Sequence, residues 1–298
     1  MAKLMECIPN ISEGRRQDVI EAVAAEVRSV PGVTLIDYSS DQSHNRSVFT
    51  FLGEPECVME AAFRLARKAV ETIDLRTHEG EHPRMGAVDV IPFVPVREME
   101  MNECVAYSKT LAKKLADKLE LPVFLYEESA SAPHRKNLAA IRKGQFEGMA
   151  EKVLDPLWHP DFGGNRIHPS AGVVAVGARQ PLIAFNINLD TSDISIANRI
   201  AKIIRESSGG LKAVKALGVM LEKRNIAQVS INMCDYRQTP LYRVLELVRI
   251  EAARYGVNVI GTEIIGLSPM AALIDSAAYY LQIEQFDTEN QVLENHLL

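Results

Sequence analysis

Cysteine is sparse in this chain and never clustered. Its four copies, Cys7, Cys57, Cys104 and Cys234, form no C-x-x-C pair, which argues against a zinc ribbon or a disulfide framework and for a reducing compartment. Each is expected as a small buried hydrophobe. No apolar run reaches bilayer length, so no membrane span is expected. The opening residues lack an apolar signal-peptide core, and a cytoplasmic protein is expected. Positive charge is not in excess either. The 33 Lys and Arg against 39 Asp and Glu give a net charge of −6, which disfavours general nucleic-acid affinity but allows a local basic cleft for small anions. There is no G-x-x-x-x-G-K-S/T, no G-x-G-x-x-G in a βα unit and no G-x-S-x-G. The nucleotide-binding and nucleophile-elbow motifs are therefore missing.

What is present is 298 residues, 47% hydrophobic and 24% charged, enough for one large globular domain or two. One window stands out: His78-Glu79-Gly80-Glu81-His82-Pro83-Arg84-Met85-Gly86. His78-Glu79-x-x-His82 has the spacing of a zinc-peptidase helix. That pattern needs a continuous helix. Gly80 weakens one by about 1 kcal/mol relative to Ala, and Pro83 biases His82 away from helical dihedrals. No metal is expected. A polar surface loop with satisfied histidines is the plain alternative. The stronger reading is a rigid catalytic loop in which Pro83 fixes the backbone beside His82, whose imidazole suits proton transfer near neutral pH.

Hydropathy places a strand over Lys3–Ile11, a helix from about Arg16 to Val30, strands at Val33–Tyr38 and Arg46–Leu52, a helix from Pro55, and a strand at Val88–Val96. That order is β-α-β-β-α-β, the split unit of ferredoxin-like folds. A helix over 103–119, a short strand at Val123–Tyr126 and a helix over 133–154 extend it, and Pro156–Gly164 reads as a connector. The second half repeats the order. Leu182–Leu189 is a strand, a helix capped by Thr191 or Ser192 follows, Val214–Met220 and Ala227–Met233 are strands, Pro240 opens a helix, and Val257–Ile264 closes the set. The fold class is α+β: two ferredoxin-like (βαββαβ) subdomains side by side, over 1–178 and 179–298, with a ligand groove between their sheets.

Polar residues interrupt apolar strands. Asn10 ends the first. Asn186 and Asn188 lie two apart and share one face. They either tolerate water on a solvated face or recognise an amide or polar heterocycle, since each offers donors and an acceptor. Arg46, Arg84 and Arg179 read as surface charges or carboxylate ligands, with Arg84 the best placed for the second role. Gly163-Gly164-Asn165-Arg166-Ile167-His168-Pro169-Ser170-Ala171-Gly172 is a flexible linker or a segment whose glycines admit a flat ligand.

Glu6–Gly14 (ECIPNISEG), Asn45–Val48 (NRSV), Gly80–Gly86 (GEHPRMG) and Leu182–Leu189 (LIAFNINL) together resemble the glutamate formiminotransferase family over nearly the whole chain. The resemblance implies transfer of a formimino group from N-formimino-L-glutamate to N5 of tetrahydrofolate in histidine degradation. Tetrahydrofolate would be a co-substrate lying between the two subdomains. It places the catalytic histidine at His82 and a folate-contacting segment at Gly163–Gly172. Relatives carry an Asp in the turn after the second strand as partner of that histidine. Here position 39 is Ser39, and Asp37 and Asp41 flank it, so either could orient His82. Arg84 and Arg46 would hold carboxylates of glutamate or the folate tail. A homodimer is implied. Because the chain ends at Leu298, a separate cyclodeaminase is the expected second-step partner. Formyl transfer between N-formylglutamate and tetrahydrofolate, and a folate-binding protein without turnover, are the competing readings.

Overall fold

The computed structural model describes residues 2–296. The chain divides into two compact units, Met1–Arg179 and Gln180–Leu298. The first runs β1 (Leu4–Cys7), β2 (Asn10–Ile11), α1 (Gln17–Arg28), β3 (Val33–Asp41), β4 (Arg46–Gly53), α2 (Pro55–Thr72), β5 (Val88–Arg97), α3 (Met101–Leu119), β6 (Val123–Glu127), α4 (Leu138–Arg142), α5 (Gln145–Lys152) and β7 (Val174–Ala178). The second runs β8 (Ile183–Leu189), α6 (Ile194–Ile204), β9 (Val214–Leu221), β10 (Ile226–Met233), α7 (Leu241–Ala253), β11 (Val259–Ile265), α8 (Met270–Leu281) and α9 (Thr288–Gln291). Among the described residues no helix is long and apolar enough to cross a membrane. The architecture is mixed α+β with two sheets.

The expected first strand is split. Pro9 has no N–H to give a ladder, so β1 and β2 are two pieces of one strand, each paired with both β4 and β5. The sheet of the first unit therefore reads β3–β4–β1/β2–β5–β7–β6, with antiparallel neighbours up to β5 and parallel pairing of β5–β7 and β7–β6. β4 alternates half-buried and buried residues along its length, as a strand with one covered face must. Helices α1, α2 and α3 supply that cover, with Val23, Val58, Leu65 and Leu111 packed against Phe49, Phe51 and Phe93.

The expected helix over 133–154 is instead two short ones. Gly144 breaks it with a left-handed backbone, φ 98°, which glycine adopts at no steric cost. These pieces roof the other face of β5, β7 and β6, where Ile141 and Met149 meet Phe124, Tyr126 and Met85. With both faces covered, β6 and β7 show no alternation, and β7 escaped the sequence reading for that reason. In the second unit the order is β11–β8–β10–β9, antiparallel throughout, with α6 and α7 over one core. The cap of α6 is Asp193, whose side chain accepts from Ser195 N, not Thr191 or Ser192.

Candidate active site

The connection from α2 to β5, residues 73–87, is irregular, and His78–His82 is not helical. Both its ends are pinned. On the entry side the hub is Asn45, buried at the end of the β3–β4 turn. Its side chain donates to Glu79 O at 2.8 Å and accepts from Gly14 N at 2.9 Å, and its carbonyl lies 3.0 Å from His78 Nε2. Glu81 N donates to Ser43 O at 3.1 Å. A Cβ on Gly80 would stand 2.5 Å from His44 O, so only glycine lets the loop lie this close to the turn.

On the exit side Arg84 is the clamp. Nε donates to His78 Nδ1 at 3.1 Å, Nη1 to Gln145 and Glu147 at 3.1 and 2.9 Å, and Nη2 to His78 O and Glu147 at 3.2 and 2.7 Å. All five guanidinium donors are used. The same contact fixes the His78 tautomer, because Nδ1 must accept and Nε2–H therefore donates to Asn45 O. One residue on, Met85 N donates to the Asp89 carboxylate at 2.8 Å. Gly86 bridges Gly172, and a Cβ on Gly86 would meet Val173 O at 2.0 Å.

His82 hangs between these anchors. Its Nε2 is buried and has no hydrogen-bond partner among the described residues. Burial, then the guanidiniums of Arg46 and Arg142, then His44 and His78, bring its pKa down to about 3. The ring is neutral at physiological pH and can accept a proton. Arg46 Nε and Arg142 Nε are likewise buried without partners. Buried polar atoms are nearly always paired. Three unpaired ones on side chains that share a field, with Asp89 Oδ2 also without a hydrogen bond, give an arrangement that can take a polar, anionic ligand.

Formiminotransferase models match the chain over both units. The N-terminal subdomain of the formiminotransferase domain matches residues 4–179, and the formiminotransferase domain matches residues 184–296. The chain belongs to the formiminotransferase family. It is 60% identical over 298 residues to the glutamate formimidoyltransferase of Streptococcus pyogenes serotype M1, covering all of both chains. It is 46% identical over 296 residues to that of Thermoplasma acidophilum, covering 99% of this chain and 97% of the relative. The formimidoyltransferase-cyclodeaminase of Rattus norvegicus is 46% identical over 291 residues, which are 96% of this chain and 54% of that protein.

In this formiminotransferase the expected site residues fall in several places. Neither expected carboxylate bonds to His82. Asp37 is exposed on β3, and Asp41 accepts from His44 N at 2.8 Å and lies 3.1 Å from His44 Nδ1. It thus holds the His44 ring, whose centroid is 6.5 Å from that of His82. Arg84 is fully engaged within the protein and has no donor left for a substrate carboxylate. Asn10 turns its amide to Ile8 O at 3.3 Å. The Gly163–Gly172 segment is exposed from Gly163 to Arg166 and buried at Ala171 and Gly172. Its far end joins the His82 loop, with Leu75 N donating to Ser170 O at 2.8 Å and Ala87 N to Ala171 O at 2.9 Å. On the second unit Asn188 is buried and used, donating to Glu263 at 3.1 Å and accepting from Gln228 at 2.8 Å, while Asn186 is half-buried. Asn45, Asp89, Arg142 and Glu147 went unnoticed as site residues. Of these, Asn45 carried a signal as part of the NRSV motif, and Asp89 as an acid inside an apolar strand.

Proposed function

We propose that this formiminotransferase moves the formimino group of N-formimino-L-glutamate to N5 of tetrahydrofolate, releasing L-glutamate, with His82 as the proton shuttle. The observation that carries the reading is the buried, unpartnered and neutral Nε2 of His82 beside two guanidiniums with open donors. His82 accepts the proton that N5 sheds as the new bond to the formimino carbon forms. It delivers the same proton to the glutamate nitrogen as the old carbon–nitrogen bond breaks. One residue serves both directions, and the proton count closes. Positioned acid–base transfer of this kind is worth about 10²–10⁴ in rate.

Of the two arginines expected to hold carboxylates, Arg46 keeps the role, with its buried Nε open, and Arg84 does not. A bound carboxylate also offsets the positive field on His82 and raises its basicity when substrate arrives. Arg84 acts as the positioning residue for the loop. Gly163–Gly172 is the folate-contacting segment, a reading supported by its hydrogen bonds to the loop that carries His82. We read each unit as ferredoxin-like, because in both sheets the last strand of the βαββαβ set lies beside the first and the third separates the first from the second.

Purified protein given N-formimino-L-glutamate and tetrahydrofolate should release glutamate and yield 5-formiminotetrahydrofolate by mass. A formyl product from N-formylglutamate, with no formimino product, would replace this reading by formyl transfer. Folate binding without either product would leave a binding protein.

A further inference from the structure

We infer that Arg142 binds a carboxylate of the glutamyl donor and so sets the preference of the site for an acidic amino acid; the inference rests on the formimino-transfer reading above. Arg142 is the last residue of α4 and lies well outside the loop that bears His82. Two independent devices bring it in and hold it there.

The first is Asp89, 1% exposed on β5, which forms an ion pair with Arg142 Nη2. Because Asp89 also accepts from Met85 N at 2.8 Å, one carboxylate fixes both the exit of the His82 loop and the guanidinium. The second is Lys152. Its ammonium donates to Ala140 O at 2.7 Å, Ile141 O at 2.6 Å and Lys143 O at 3.1 Å, and it lies 4.1 Å from the centre of the Trp158 ring. Those carbonyls flank Arg142 on both sides along the chain. A helix of one turn does not hold its own end in water. Here a cation caps it and complements the negative end of its dipole.

A side chain secured this firmly would normally have its donors filled. Arg142 does not. Asp89 is ion-paired with Nη2, while Nε is buried without a partner. A guanidinium held on one side by a carboxylate still presents N–H groups suited to a second carboxylate. Arg46 offers an unpaired Nε and acts on the same imidazole through its charge. The donor amino acid has two carboxylates and the site has two such guanidiniums, whereas Arg84 in the loop itself is fully engaged.

The test measures initial rates of wild type, Arg142→Gln and Arg142→Lys at saturating tetrahydrofolate. The varied donors are N-formimino-L-glutamate and its two mono-amides, one at the α and one at the side-chain carboxylate. R142Q should raise KM for the dicarboxylate about 10- to 100-fold, the scale of one charge-assisted hydrogen-bonded pair. It should also lose most of the wild-type preference over one of the two mono-amides, and that amide identifies the carboxylate bound. R142K keeps the charge but not the planar fork, so its KM falls between the two. A KM within about twofold of wild type, with discrimination against both amides intact, overturns the assignment. Should R142Q give no cooperative melt, R142K decides: a raised KM supports the assignment and a wild-type KM overturns it. Wild type that transfers no formimino group overturns the function instead. Calorimetric binding of N-formimino-L-glutamate to wild type and R142Q then judges the anchor separately.

Discussion

The two units share an antiparallel strand order yet treat their polar groups in opposite ways. In the second, Asn188, Gln228, Glu263 and Arg224 satisfy one another on the sheet. In the first, Arg46, His82 and Arg142 keep buried donors or acceptors without partners. The connection before the closing strand differs as well. It spans only residues 254–258 between α7 and β11, but residues 73–87 between α2 and β5. One architecture therefore yields a self-satisfied face in one copy and a loop with unpartnered buried groups in the other. What separates them is the length of one connection and the groups that pin it.

The largest effect should come from the unpartnered imidazole. His82→Asn is expected to lower kcat by about 10²–10⁴ while tetrahydrofolate binding, followed by fluorescence or calorimetry, persists. Turnover near the wild-type level would erase the contrast between the units. Next comes the clamp. Arg84→Met removes five hydrogen bonds and releases the loop from α5. It should cost about 1–3 kcal/mol in urea unfolding and about 10²-fold in kcat/KM, the scale of a small misplacement of reacting groups. A stability loss without a rate loss would mean that the pins do not position His82.

A subtler change sharpens the electrostatic half of the comparison. Burial first, then the Arg46 charge, bring the His82 pKa down to about 3. The base works when neutral, so activity falls as pH drops through that pKa. Arg46→Gln removes a positive neighbour, raises the pKa and must move the acid limb of the kcat/KM profile to higher pH. A limb that stays in place would contradict the assigned field. The smallest effects belong to the second unit. Asn188→Ala removes one donor to Glu263 and one acceptor of Gln228, which still bond to each other, and should cost about 1 kcal/mol of stability, with little change in KM for tetrahydrofolate. A raised KM with unchanged stability would contradict the self-satisfied face.

Much of this was legible in the residues. Alternation and helical spacing give the order of the βαββαβ elements in both halves, and the density of ionisable groups marks the His82 loop before any coordinates. The glycines at 80 and 86 and the proline at 83 already exclude a helix there. The rest depends on tertiary context. β7 sits between β5 and β6 under two layers of helices, so its apolar run carries no period. The roof of α4 and α5 is hidden by helix-forming residues on both sides of Gly144. Arg142 looks like any surface arginine until Asp89 meets it, and Arg84 looks like a ligand until Gln145 and Glu147 fill it. Asp41 lies close to the right histidine in sequence but turns to His44, because its place opposite Arg46 on the hairpin points it across the turn.

An NMR titration of the His82 ring nitrogens, alone and with saturating L-glutamate, tests most directly whether a neutral His82 gains basicity from the carboxylates around it. The expected result is a pKa far below 6.5 in the free protein that rises when glutamate binds. An ordinary histidine pKa near 6.5 in both states would contradict it.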